Sequence, residues 1–438
     1  MKRFFLVLAA VALVGLAACE KQNPTPDPDP SGGVTPTPEP QPEPQPEPQP
    51  ETALSPREQQ AKLNATAEAL MSALDLDNWK ADVDWAYKAF KEIEDINGSA
   101  DADLEKWAED LEKSILEYSE GDNWELYKLT IDLSQITGHF TETNGVFHRE
   151  DADDLSLDIQ LNGEPVRVQF TCTRGTEPML VYLTEKVYEY YDYEQQTYVT
   201  ENVASREYWV AIPKTAQLKI TRSGKDFVVF NAEFDVTDVD ADTILNPAND
   251  KLSVKASITA AGYELNAGKV EYSPTNAAVD VTLKQGSQLL ISANAKGAYT
   301  IEDENFLPKS AEVAIDLMGM TQVKGTLASY DKLMEAVEAV DEALKSENEA
   351  LIDLAFENLE KCYDLGIYYD GGTMKQASLG FDYVVWEEGY GSVVVVIRFA
   401  DGSAIAAEQY FSEEYFAGLM SRAGIWYQKI SDYFSNLE

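Results

Sequence analysis

The chain is 438 residues long, with 77 acidic and 34 basic side chains, a formal net charge of −43 and 44% hydrophobic residues. A field of that sign repels phosphate backbones and anionic lipid surfaces, which excludes nucleic acid as a partner. Apolar content is ample for burial, and the length beyond Glu51 exceeds the ~250–300 residues one core usually serves, so two or three subdomains are expected.

In chain order, Lys2 and Arg3 precede an uncharged stretch, Phe4 to Ala18, that is too short for a spanning helix of about 20 residues. A positive start followed by a short apolar run is the pattern of a secretory signal peptide, here residues 1–18. Leu16-Ala17-Ala18-Cys19 resembles the bacterial lipobox. That resemblance implies cleavage before Cys19, acylation of its thiol and a membrane anchor of two or more acyl chains, each buried methylene contributing about 0.8 kcal/mol.

Residues 19–51 then form a linker. Twelve prolines fall between Pro24 and Pro50, with PEPQPEPQPEPQP at the core. Proline fixes φ and removes the amide donor, so an extended polyproline II spacer is expected, with a reach of roughly 80 Å. Residue 20 is Glu, which by analogy with lipoprotein sorting favours the outer membrane. The lipobox, the acidic proline linker and a body with 23 tyrosines together resemble the surface lipoproteins of gut Bacteroidetes. The resemblance implies lipid anchoring at the outer membrane, at the cell surface in preference to the periplasmic face.

A helical region is expected over 52–122. Ser55-Pro56-Arg57-Glu58 is a capping box with proline at the first helical position. Three helical stripes follow: Leu63, Ala67, Leu70, Leu74; then Trp79, Val83, Tyr87, Phe90; then Leu104, Trp107, Leu111, Ile115, Tyr118. From about Trp124 the period changes to two, and 123–329 reads as a long antiparallel meander. Asn162-Gly163 between alternating runs is the strongest hairpin signal, with Asn144-Gly145, Ser223-Gly224 and Gln285-Gly286 marking others. Further strands are expected at Lys251–Ala260, Tyr263–Tyr272 and Val313–Leu327. A C-terminal α+β region spans 330–438. It begins with a helical stripe of Leu333, Val337, Val340 and Leu344. A second capping box at Ser346-Glu347-Asn348-Glu349 opens a helix running to about Asp364. The apolar run Val393–Ile397 reads as a central strand covered on both faces, and a final helix covers Glu413–Phe434. The fold class is therefore α+β, built on a large, mainly antiparallel sheet with helices at both ends.

The candidate sites each have a plain structural alternative. His139 and His148 flank the Asn144-Gly145 turn, where pairing can bring them together; with Glu150 they would make a zinc site, and otherwise they are polar strand residues. Asp238, Asp240 and Asp242 alternate along an acidic loop and can converge on calcium, although Thr243 and Asn249 stand where an EF-hand needs glycine and glutamate. Asp242-Thr243-Ile244 resembles the short Bacteroidetes O-glycosylation motif, which implies modification at Thr243. Tyr188, Tyr190, Tyr191 and Tyr193 offer stacking area for a sugar or a protein partner, or the cross-strand pairs of a wide hairpin. GYELNAGKV has the wrong spacing for a phosphate loop. Cys172 in a strand and Cys362 on a helical face can be bridged or buried. No serine lies on a nucleophile-elbow pattern, and with so many carboxylates no pair is singled out for glycoside hydrolysis. The expected role is a non-enzymatic binding or structural module with no cofactor beyond a structural calcium, its protein or glycan partner unidentified. A carrier of an apolar ligand in a curved-sheet cavity, similar in architecture to lipoprotein carriers, is the alternative. A glycan-acting hydrolase is third.

Overall fold

A computed structural model describes residues 52–95, 116–117, 126–143, 146–175, 180–186, 189–192, 197–200, 205–211, 213–237, 251–302, 305–346, 348–385, 391–411 and 413–435. The fold is α+β, with helices near both ends of the described chain and a large, mainly antiparallel sheet to which sixteen strands are assigned. The chain divides into two compact units.

The first unit takes in residues 77–274 and 279–286. Its short strands are β1 (Leu116–Glu117), β2 (Leu126–Asp132), β3 (Gly138–Thr143), β4 (Val146–Glu150) and β5 (Leu155–Leu161). Then come β6 (Glu164–Arg174), β7 (Leu180–Lys186), β8 (Glu189–Asp192), β9 (Thr197–Thr200) and β10 (Ser205–Ala211). Four longer antiparallel strands end the series: β11 (Pro213–Arg222), β12 (Lys225–Thr237), β13 (Lys251–Ala260) and β14 (Tyr263–Ser273). Their hydrogen-bonded order is β4-β3-β5-β6-β11-β12-β13-β14, beside a four-stranded β1-β2-β10-β7 sheet and the β8-β9 hairpin. The Asn162-Gly163 turn forms as expected, with φ of 52° and 73°, the left-handed pair that a two-residue hairpin matched to strand twist requires. Ser223-Gly224 does the same at 50° and 76°.

The expected meander is corrected at two places, where β3 pairs with β5 and β2 with β10 in parallel. Strand β4 folds back on the outer edge of β3, so β5 must take the other edge in the same direction as β3. The expected third helix lies mostly outside the described residues. At its end, Leu116–Glu117 is strand, paired with β2.

Alternation along β5 buries Leu155, Leu157, Ile159 and Leu161 on one face. They pack with Phe140, Phe147, Val166 and Phe170, and with Ala89 and Trp85 of a helix at Lys80–Asp95. Phe140 is fully buried.

The second unit takes in residues 52–76, 275–278 and 287–438. Counting from the start of the described chain, helix α1 is Pro56–Ala73, the Lys80–Asp95 helix of the first unit is α2, α3 is Tyr330–Lys345, α4 is Glu349–Glu360, α5 is Ala407–Tyr410 and α6 is Glu413–Ser435. Strand β15 (Asn276–Gln285) has residues in both units. The strands β16 (Gln288–Glu302), β17 (Asn305–Leu317), β18 (Thr321–Leu327), β19 (Tyr363–Tyr369), β20 (Ala377–Val385), β21 (Gly391–Phe399) and β22 (Ala404–Ala406) pair in that order, each antiparallel to the next.

The Ser55–Glu58 capping box is present: the Ser55 backbone N–H donates to the Glu58 carboxylate at 2.8 Å, and the Glu58 backbone N–H donates to the Ser55 hydroxyl at 3.4 Å. Helix α1 runs parallel to α6, in a register kept constant by a sequence offset of 354. Arg422 bonds Glu68, and seven residues further along each segment Lys429 bonds Asp75, just past the end of α1, at 2.8 Å.

Four expectations in this unit are corrected. Val313–Leu327 is two strands, because Met318-Gly319 turns the chain at φ of 59° and 71°. The second capping box divides: Asn348 is the N-cap of α4, accepting from the Leu351 N–H, while Ser346 closes α3 by donating to the Ala343 carbonyl at 2.6 Å. Helix α4 ends at Glu360, and Tyr363–Tyr369 is strand β19, so Cys362 lies past the helix C-cap, where its thiol donates to the Asn358 carbonyl at 3.4 Å. Val393 and Val395 are 43% and 40% exposed while Val396, Ile397 and Phe399 are buried, so β21 is covered on both faces only toward its C-terminal end.

Candidate functional site: a polar sheet face around His139

The alternation that buries Phe140 and the β5 leucines turns His139, Thr141, Ser156, Asp158, Arg167 and Gln169 to the opposite face of the first unit's sheet. Parallel pairing sets His139 opposite Ser156 and Thr141 opposite Asp158; antiparallel pairing sets Asp158 opposite Arg167. The result is a closed network. His139 Nδ1 lies 2.9 Å from the Ser156 hydroxyl, and Nε2 lies 3.2 Å from the Thr141 hydroxyl and 3.4 Å from the Asp158 carboxylate. Arg167 donates to Asp158 at 3.0 Å and to Ser156 Oγ at 3.4 Å.

This brings a serine, a histidine and an aspartate together, which the sequence did not reveal. Acyl transfer needs an accessible nucleophile and donors poised for an oxyanion. Ser156 is 2% exposed, sits mid-strand between two paired neighbours, and shares its hydroxyl between His139 and Arg167. The Asp158 carboxylate is committed to Arg167. These groups lock three strands together and leave no nucleophile free.

The polar face continues across the sheet. Register places Thr171, Gln217, Asn231 and Ser257 directly opposite one another on β6, β11, β12 and β13, at the ~4.8 Å spacing of neighbouring strands. Gln217 donates to Asn231 at 2.6 Å, and Asn231 donates to Ser257 at 3.3 Å. The reverse face carries Phe230, Ala232, Phe234, Leu252, Val254 and Tyr272.

A clasp holds α2 on this unit. The Arg222 guanidinium lies 4.5 Å from the centre of the Trp85 ring and donates twice to Glu164, at 2.8 Å each; Ser223 donates to the same carboxylate at 2.9 Å. The Arg222 and Ser223 hydrogen bonds hold the Glu164 carboxyl down to about 2. Beneath the clasp, the space between α2 and the sheet is filled by side chains, with Leu133, Ile136 and Phe140 all buried. That packing counts against an acyl chain sheltering there. In the second unit the comparable network is Arg398, which donates to Glu360 at 3.0 Å, to Asp382 at 2.8 Å and to the Phe381 carbonyl at 3.0 Å.

Of the sites expected from the sequence, His139 and His148 do come to one hairpin, opposite Glu150 and Thr141 respectively. Among the described residues no group of three or more His, Cys, Asp or Glu is arranged to hold a metal ion. The calcium loop Asp238, Asp240 and Asp242, the glycosylation candidate Thr243 and the lipidation candidate Cys19 lie outside the described residues, as do Tyr188 and Tyr193. Tyr190 and Tyr191 lie on β8, opposite Val199 and Tyr198 of β9. The rejected phosphate loop is strand β14. Cys172 and Cys362 form no disulfide.

No known family model matches the chain, and no curated protein matches it. Among solved structures it is similar to a porin-like protein from Bacteroides vulgatus, at 10% identity over 52% of this chain and 96% of that one, with a TM-score of 0.15. A score at that level does not define a shared fold.

Proposed function

We propose that this chain is a lipoprotein anchored through Cys19 at the outer membrane, where its folded body serves as a non-enzymatic binding or structural module, displayed at the cell surface. The observation that carries the anchor is the succession of Lys2-Arg3, an apolar run, Leu16-Ala17-Ala18-Cys19 and a proline spacer within fifty residues. Each part does one job: export, cleavage, acylation and stand-off.

The non-enzymatic reading is supported by the state of the polar face. Its histidine, serine, aspartate and arginine satisfy one another across strands, and a ladder of amides and hydroxyls offers hydrogen bonds without a reactive group. Such a face suits contact with a protein or glycan partner.

Protease shaving of intact cells tests the display. Loss of the body while inner-membrane and periplasmic markers survive is the expected result. Full protection of the body would place it on the periplasmic side and overturn surface display.

A further inference from the structure

The proline-rich sequence ends at Pro50, and the first described residues after it, Thr52 to Leu54, have no secondary structure of their own. They are nevertheless fixed by the Gln376 carboxamide. Its Oε1 accepts from the Leu54 N–H at 2.8 Å, and its Nε2 donates to the Thr52 carbonyl at 3.1 Å. The side chain thus supplies both halves of a peptide group to an extended strap, as a neighbouring strand would.

Gln376 is 5% exposed, and its own backbone is held twice. Its N–H donates to the Ile367 carbonyl at 2.9 Å, and its carbonyl accepts from Ala400 N–H at 2.9 Å. A second glutamine interlocks with the first. Gln59, 1% exposed on α1, donates from one Nε2 to the Gln376 carbonyl at 2.7 Å and to the Leu54 carbonyl at 3.1 Å. Tyr369 donates to Gln59 Oε1 at 3.5 Å. Two buried amides that together make three hydrogen bonds to one short strap form a costly polar arrangement to maintain in a core.

We infer that Gln376 and Gln59 form the fixture that couples the tether to the folded body, so that a pull on the anchor enters the second unit at residues 52–54 through sheet backbone and not through the free end of α1. The purpose assigned to the fixture rests on the tether proposed above, while the fixture itself is tested without it. Without the clamp, tension would act directly on the first turn of α1 and peel the helix from its capped end.

Hydrogen exchange on the purified full-length chain reads this directly. The Leu54 amide is expected to be protected at least about 100-fold over an unstructured peptide. Q376A is expected to raise its exchange at least about tenfold while amides within α3 and α4 stay within about twofold. If Q376A does not fold, Gln376→Met keeps the bulk of the side chain and removes the carboxamide that holds the strap; elastase cleavage after Ala53 is then expected to accelerate about tenfold. A Leu54 amide exchanging at the unstructured rate in the native chain, or exchange unchanged in Q376A, overturns the fixture. Failure of fatty acid to label Cys19 would remove the tether and leave these outcomes as they stand.

Discussion

At the scale of single residues, Glu164 gives the most direct pH signature. Its carboxyl is held at about 2, far below the ordinary carboxylate value near 4.3, by hydrogen bonds from Arg222 and Ser223. A depressed folded value means that its stabilising contribution is complete above the unfolded value and is lost as pH falls from about 4.5 through about 2. Loosening of α2 is therefore expected within that window, read as faster amide exchange over Lys80–Asp95; E164Q should loosen α2 at pH 7 and remove Glu164's share of the acid dependence. Arg398 joins two carboxylates and a carbonyl while half exposed. Arg398→Ala should cost about 1–2 kcal/mol in urea unfolding of the second unit. Phe140 is fully buried, and Phe140→Ala should cost about 3–5 kcal/mol through lost burial and the cavity it leaves. The sequence marked none of these three for function. Arg222 and Glu164 lie 58 residues apart, and only the β6–β11 pairing brings them together.

At the scale of elements, what could be read from the sequence was what local chemistry dictates. The capping box at Ser55, the Asn162-Gly163 and Ser223-Gly224 turns and the limits of β13 follow from short-range rules and appear in the structure. The errors also share a cause. Met318-Gly319 has no asparagine or aspartate, so a left-handed methionine at φ 59° gave no turn signal, and two strands merged into one. Conversely, Met318→Asn places a residue suited to that conformation there and should raise stability by about 0.5–1 kcal/mol in thermal unfolding, with the hairpin unchanged. A fall in stability would mean that Met318 packing outweighs its backbone strain. The parallel β3–β5 pair is the other miss. His139 and Ser156 are 17 residues apart with a whole hairpin arm between them, so no local pattern announces that they touch. The run Val393–Ile397 looked buried on both sides because composition reports hydrophobicity and not cover, and β21 keeps two valines in solvent.

At the scale of the whole molecule, charge and architecture separate the possible roles. A chain at −43 repels polyanions, and its folded part adds a polar sheet face on which His139, Ser156, Asp158 and Arg167 bond to one another. Both features are compatible with the binding or structural module proposed above, provided it is held where a partner can reach it. The proposed anchor would supply that condition, and its proposal rests on the first fifty residues alone, because signal peptides and proline tracts act through composition, without a tertiary fold. No partner was legible, because a polar face assembled from strands distant in sequence has no local signature. The most direct test is metabolic labelling of cells expressing the full chain with an alkyne fatty acid, alongside Cys19→Ala. The account requires label in the purified wild-type protein, a mature N-terminus at Cys19, and loss of both label and membrane association in the variant. An unlabelled wild-type protein, or one whose mature chain begins elsewhere, contradicts it.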